Sequence, residues 1–285
     1  MENINTLKAN LSAIGDAIRG KLAVENKYRI EDMPAAINSI SSRVEPCIIS
    51  ATMLMTNLDP SSSTPHNDWD KIKNLIDYEN VYESVSMFQG RKDLKIREVE
   101  EFFSHKMPNL TNMRQIASYA TFIDGDIATH IFDLTLDSPN CTNYSDIFSD
   151  SNIYHLKLTI TKHNALFVMP FVCIRCQLLQ DIEIKGPGLN HATSLDYLCY
   201  NCTSLKTATI GDNDTNYSKI SNTEHMFEEC SNLKTLTIKG VNILPLSSTE
   251  SIPSTIQSIK VPAALVDSYK NATNWSTFAS KISAI

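Results

Sequence analysis

The chain repeats one ladder of apolar positions, and that recurrence limits the fold more than any single residue does. In MFEECSNLKTLTI, Phe227, Cys230, Leu233, Leu236 and Ile238 fall at offsets of zero, three, six, nine and eleven. Cys199, Cys202, Leu205, Ala208 and Ile210 take the same offsets, and so do Cys173, Cys176, Leu179, Ile182 and Ile184. A degraded copy runs through Phe88, Arg91, Leu94, Arg97 and Val99, and IFSDSNIYHLKL from Ile147 repeats the pattern with one residue deleted. Copies spaced 25 to 28 residues apart between positions 148 and 227 signal a solenoid. In such a coil each unit cannot bury its apolar edge alone, and neighbours stack to share one core.

The last apolar positions of each copy alternate, as in Leu236 and Ile238 or Ile182 and Ile184, which is the period of a strand with one face inward. The expected class is therefore α/β, a solenoid lined by short parallel strands. The polar residues between and before the apolar ones would face solvent on the surface that stacked repeats use for binding. Lys206, Thr207, Thr209, Lys234, Thr235 and Thr237 form that candidate binding face.

Cysteine spacing offers a competing chemistry. Cys173-x-x-Cys176 followed by Cys199-x-x-Cys202 has the spacing of a four-thiolate zinc site. The same two registers, however, hold Phe227 and Cys230, Phe148 and Ser151, and Phe88 and Arg91 in other copies. Metal ligands do not alternate with phenylalanine, whereas a free cysteine behaves as a small core hydrophobe. The register thus assigns these thiols to a buried column, with zinc as the alternative. Cys47 and Cys141 lie off the column and the total of seven is odd, so a complete disulfide framework is excluded and folding in a reducing compartment is expected.

At 285 residues and 42% hydrophobic content the chain can bury a sizeable core, and two structural units are expected. A formal charge of -7, from 32 acidic and 25 basic side chains, argues against a nucleic-acid partner, which requires a basic face. No stretch approaches the roughly 20 apolar residues that cross a bilayer, so membrane insertion is not expected. The N-terminus lacks a continuous apolar core and does not read as a secretion signal. Eight glycines are too few for glycine-rich fibres or phosphate-cradling loops.

Residues 1–40 form a separate helical module. Leu7, Leu11, Ile14, Ile18 and Leu22 are spaced to make one apolar stripe on a helix. A second short helix begins near Asp32, which caps it, with Pro34 in its first turn and Ile37 and Ile40 on its apolar side. Two short helices bury too little to stand alone, so the stripe is expected to anchor the chain on a partner, on another copy or on the end of the coil. Residues 41–85 form an intermediate segment, with a strand at Ile48–Met55, an exposed Ser/Pro loop at Leu58–Asn67 and a helix at Trp69–Ile76.

A search for catalytic chemistry returns little. The seven histidines are scattered, without a His-x-x-x-His pair or a nucleophile beside them, and no G-x-S-x-G elbow, Walker loop or dinucleotide fingerprint occurs. His66 and Asp68 sit in the Ser/Pro loop and read as solvated. Glu98, Glu100 and Glu101, like Glu228 and Glu229, read as solvated faces, because a glycosidase acid and base must converge across a cleft. No catalytic residue, no cofactor and no enzymatic activity are expected.

The N-terminal segment LSAIGDAIRGKLAVENKYRIEDMPAAINSI resembles the module that opens many bacteriophage tail and fibre proteins. The likeness lies in Ala17-Ile18-Arg19-x-Lys21, then Ile30, Asp32-Met33-Pro34 and Ile37, while Leu22-Ala23-Val24-Glu25 replaces the usual glycine-containing turn. Residues 86–260, through MFEECSNLKTLTI and LCYNCTSLKTATI, resemble BspA-like leucine-rich repeats, and the ending from Val261 resembles the terminal cap of such arrays. Val261, Pro262, Leu265, Tyr269, Trp275, Phe278 and Ile282 would form that cap over residues 261–285. These resemblances imply a non-enzymatic virion structural protein, folded in the bacterial cytoplasm before assembly. Its N-terminal helices would fasten it to other virion proteins, its repeats would present a surface for a host receptor, and it would be a homo-oligomer. The alternatives are a bacterial surface adhesin built from the same repeats and a zinc-stabilised assembly module.

Overall fold

The computed structural model describes Lys73 and residues 76–285. The chain divides into two compact units, Met1–Ile48 and Ile49–Ile285, and every described residue belongs to the second. The anchoring stripe, the Asp32 helix, the Ile48–Met55 strand and nearly all of the Trp69–Ile76 helix lie outside the described residues.

The architecture is mixed α/β, dominated by one open parallel sheet with few helices. Its strands are β1 (Ile131–Leu136), β2 (His155–Ile160), β4 (Asp181–Lys185), β6 (Thr207–Ile210), β7 (Thr235–Ile238), β8 (Ser258–Val261) and β9 (Ile282–Ala284), paired in chain order. Each strand follows its neighbour in step. Phe132, Leu156, Ile182, Ala208, Leu236, Ile259 and Ile282 make one row, and Leu134, Leu158, Ile184, Ile210 and Ile238 the next. Both rows point into the core, where every member is buried. The apolar alternation sets this register, because a slip of one residue would turn every such side chain to solvent. The residue missing from the copy at Phe148 is absorbed before β2, so the strand itself keeps its pairing with β4.

A second parallel ladder runs alongside. It contains β3 (Phe167–Val168) and β5 (Ala192–Ser194) and continues through single bridges between Glu83, Asn112, Asn143 and Val168, and between Ser194 and Asn222. Beyond it, each repeat bonds to the next through the backbone. The amides of Phe88, Ala117, Phe148, Cys173, Cys199 and Phe227 donate to Ile116, Ile147, Val172, Leu198, Met226 and Ser251 at 2.6–2.9 Å. Two residues to either side of this column the backbone is left-handed. Ser86, Gln115, Asp146, Phe171, Tyr197 and His225 precede it, and Tyr119, Asp150, Arg175, Asn201 and Glu229 follow, at φ of 52° to 62°. A left-handed residue with a side chain costs about 1 kcal/mol, and the amides fixed by the conformation offset that cost: Gln115, Asp146, Phe171 and Tyr197 each donate to the next repeat.

Three features depart from the sequence reading. Ala117 and Ala120 occupy the Phe88 and Arg91 columns in a repeat that the apolar ladder did not reveal. The degraded copy at Phe88 forms no strand at its last positions; Arg97 and Val99 lie in helix α1 (Ile96–Phe103). A charged residue at an inward strand position is untenable, whereas Ile96, Val99, Phe102 and Phe103 recur at helical spacing and are all buried. Glu98 is not solvated: it is 3% exposed, bonds back to the Lys95 amide at 3.2 Å and forms an ion pair with Arg91 at 3.1 Å. Arg91 stands where other repeats place a small buried residue, so its guanidinium requires a buried counter-charge.

The last repeat is covered by the C-terminal segment, in which helix α2 (Val266–Asn271) precedes a 3-10 segment at Trp275–Lys281. Trp275 and Tyr269 are fully buried with rings 5.4 Å apart. They hold both backbone groups of Leu244: its amide donates to the Tyr269 hydroxyl at 2.9 Å, and its carbonyl accepts from Trp275 Nε1 at 2.7 Å. Asn274 adds donors to Leu246 and Ser247. Side chains thus satisfy a loop for which no following repeat supplies partners.

One buried polar group makes stability pH-dependent. His163 is 2% exposed, packed 4.6 Å from the Phe167 ring. Its Nδ1 lies 2.9 Å from the Thr161 carbonyl, which requires the proton there, and its Nε2 lies 2.8 Å from the Tyr144 hydroxyl, which donates to the Ser138 carbonyl at 3.0 Å. Burial holds its pKa below the ordinary value of 6.5, with His191 acting in the same direction and the Thr161 carbonyl and Asp137 against it. The unfolded chain therefore binds the proton more readily than the folded one. Stability is expected to be full above about pH 6.5 and to fall as the pH drops from there towards the folded pKa. Urea midpoints at pH 7 and pH 5 check this: His163→Gln should flatten the decline, leaving the part due to His191, whose pKa desolvation also lowers.

Candidate binding surface

The six residues proposed for the binding face come together on the outward side of the sheet. Thr207 pairs opposite Thr235 and Thr209 opposite Thr237, and the Lys234 amide donates to the Lys206 carbonyl at 2.9 Å. All six are exposed or half-buried, because strand alternation sends them away from the core rows. Lys206 Nζ reaches the Gln180 side chain at 2.8 Å. On one flank lie Asp181, Glu183 and Lys185 of β4, on the other Ser258 and Lys260 of β8, whose Nζ donates to Ser283 at 3.0 Å. The face is a flat array of hydroxyls edged by charges of both signs.

Sequence spacing did not show that His155 joins this face. Its Nδ1 contacts Asp181 at 2.5 Å and its Nε2 the Ala128 carbonyl at 3.1 Å, so it ties three successive segments together. Two further histidine–carboxylate pairs occur among the described residues, His130 with Glu100 at 2.7 Å and His225 with Glu228. In none of the three does a hydrogen bond join the imidazole to a hydroxyl or thiol, as activation of a nucleophile would require.

The cysteines stack in the core. Cys173, Cys176, Cys199, Cys202 and Cys230 are fully buried, and all are free thiols. Cys176, Cys202 and Cys230 donate to the Phe148, Cys173 and Cys199 carbonyls at 2.8–2.9 Å, each reaching back one repeat. Ser151, in the same column, donates instead within its own repeat, to the Phe148 carbonyl at 2.7 Å, the carbonyl that Cys176 reaches from the next repeat. Burial pushes the Cys173 and Cys202 thiols well above the usual range, while hydrogen bonds from those two thiols outweigh burial and draw Cys176 and Cys199 below it. Among the described residues no group of three or more His, Cys, Asp or Glu side chains is arranged to hold a metal ion.

A second surface feature escaped the sequence reading altogether. Phe171, Tyr197 and His225, all in one left-handed column, stack their rings at 5.0 Å and 4.4 Å, and Tyr200 sets its edge against Tyr197 at 5.5 Å. The signal was the spacing of 26 and 28 residues between three aromatic rings, each two positions before the core column.

No protein-family model matches the chain, and no curated protein shows significant similarity to it. Among the described residues no helix is long and apolar enough to cross a membrane.

Proposed function

We propose that residues 86–260 are a leucine-rich-repeat solenoid that serves a non-enzymatic virion protein of a phage as its binding domain. The observation that carries the repeat reading is the shared register of Phe88, Ala117, Phe148, Cys173, Cys199 and Phe227, each bonded through its amide to the next repeat. Phenylalanine, alanine and cysteine exchange freely there because the column asks only for an apolar side chain of tolerable volume. The outward hydroxyl array would then bind by shape and polar complementarity, multiplied by several copies on one particle. Assignment to a virion rests on the resemblance of residues 1–40 to phage attachment modules, with Leu7, Leu11, Ile14, Ile18 and Leu22 as the anchor to a neighbouring virion protein. A host-surface receptor is the partner proposed for the repeats.

Electron microscopy of particles labelled with antibody against the repeats is the direct test. Label at a fixed position on the virion supports the proposal, and absence of the protein from purified particles overturns it. Deleting residues 1–40 should abolish incorporation; normal incorporation of the shortened chain would refute the anchor.

A further inference from the structure

The aromatic column does not end at His225. That ring pairs with Glu228, and Glu228 lines a cleft of about 580 Å³ together with Glu229, Thr249, Glu250, Thr277 and the buried ring of Phe278. A cavity of this size matches the range that holds a side chain or small ligand. Its walls come from two repeats and the C-terminal segment, so the surface runs from Phe171 across three repeats to the end of the described fold.

Two independent observations say that this surface binds. The first concerns the column. The same left-handed position carries Ser86, Gln115 and Asp146 in earlier repeats, so the backbone does not call for an aromatic there. Phenylalanine and tyrosine are poorly suited to that conformation and histidine less so, yet three successive repeats place rings there with Tyr200 alongside, all half-buried. Tyrosine-rich, partly exposed surfaces are what protein interfaces use as anchors. The second is the charge of the cleft. Glu229 and Glu250 are exposed and no lysine or arginine pairs with either among the described residues. Lys281 Nζ, 6.0 Å from the centre of the Phe278 ring, donates to the Ser254 carbonyl at 3.1 Å, and its single charge stands against the carboxylates of Glu228, Glu229 and Glu250. An anionic ligand is therefore repelled, and a group bearing several N–H donors and a positive charge fits both the carboxylates and the threonine hydroxyls.

We infer that the aromatic column and the cleft beside it form a docking surface for an extended polypeptide segment that places a lysine or arginine against Glu229 and Glu250. The rings of Tyr197, Tyr200 and His225 hold the segment's apolar part, and the cleft takes its cation. This surface is separate from the hydroxyl array of the sheet, and the inference does not depend on the protein being part of a virion.

The test is titration of the full-length protein into a short fluorescent peptide that alternates glycine with lysine and arginine. Saturable binding that weakens with added salt is expected, reduced about tenfold by Glu229→Gln and similarly by Glu250→Gln. His225→Asn and Tyr197→Asn remove rings while supplying a residue that tolerates left-handed backbone, and each should weaken binding with circular dichroism unchanged. Glu183→Gln removes the same charge from the sheet's outward face and should leave binding intact. No saturable binding, an equal loss with Glu183→Gln, or a preference for a neutral oligosaccharide of similar size would overturn the inference.

Discussion

Replacing Trp275 with alanine is expected to lower the unfolding free energy by about 5 kcal/mol, from the cavity left by a buried indole and from the stranded Leu244 carbonyl. The size of the effect follows from position. Every earlier repeat is covered by the next, and the last is covered only by side chains from residues 261–285. Urea unfolding checks it, with two variants as gauges. Trp275→Phe keeps an aromatic ring but loses the Nε1–H and part of the indole's volume, so it should cost about 1–3 kcal/mol. Thr277→Ala, at an exposed site in the same segment, should cost under about 0.5 kcal/mol. If all three variants unfold alike, the cap contributes nothing specific.

Glu98→Ala is expected to cost about 3–5 kcal/mol, because it leaves the Arg91 guanidinium largely buried without its buried carboxylate. Asp93, the guanidinium's other partner, is 34% exposed and compensates little. The repeat register makes a sharper forecast. Arg91 occupies the column that holds Cys176, Cys202 and Cys230 elsewhere, so Arg91→Cys combined with Glu98→Ala should recover most of the loss. About 1 kcal/mol should remain, because the Lys95 amide still lacks its acceptor at the start of α1. A double variant as unstable as Glu98→Ala alone would show that this position is not equivalent to the others.

These residues also show what could be read from the sequence. Leu156, Ile182, Ala208 and Leu236 announced their row because a half-buried strand forces alternation, and the copies repeat it in phase. The buried thiols were legible through substitution: phenylalanine in the same register is incompatible with ligation and compatible with packing. Ala117 and Ala120 were hidden because alanine carries too little apolar surface to mark a core position. Glu98 was misread because nothing local distinguishes a solvated glutamate from one whose partner sits seven residues upstream in a core column. The final strand, β9, was read only as part of the cap over residues 261–285, since three residues are too short to display a period. Phe171 and Tyr197 went unnoticed for a conformational reason: bulky aromatic side chains rarely accept left-handed backbone, so no propensity points to them.

The in-step pairing of the strands bears on how such a chain can vary in length. Val172 meets Phe148 through its carbonyl, just as Leu198 meets Cys173 and Met226 meets Cys199. The two bonds at the borders of the segment from Cys173 to Leu198 are interchangeable in kind, and removing that segment would bring Cys199 next to Val172 with every column continued. Size is then a modular quantity: material enters or leaves as whole repeats, whereas the segment that holds Leu244 through Tyr269 and Trp275 has no equivalent among the described repeats.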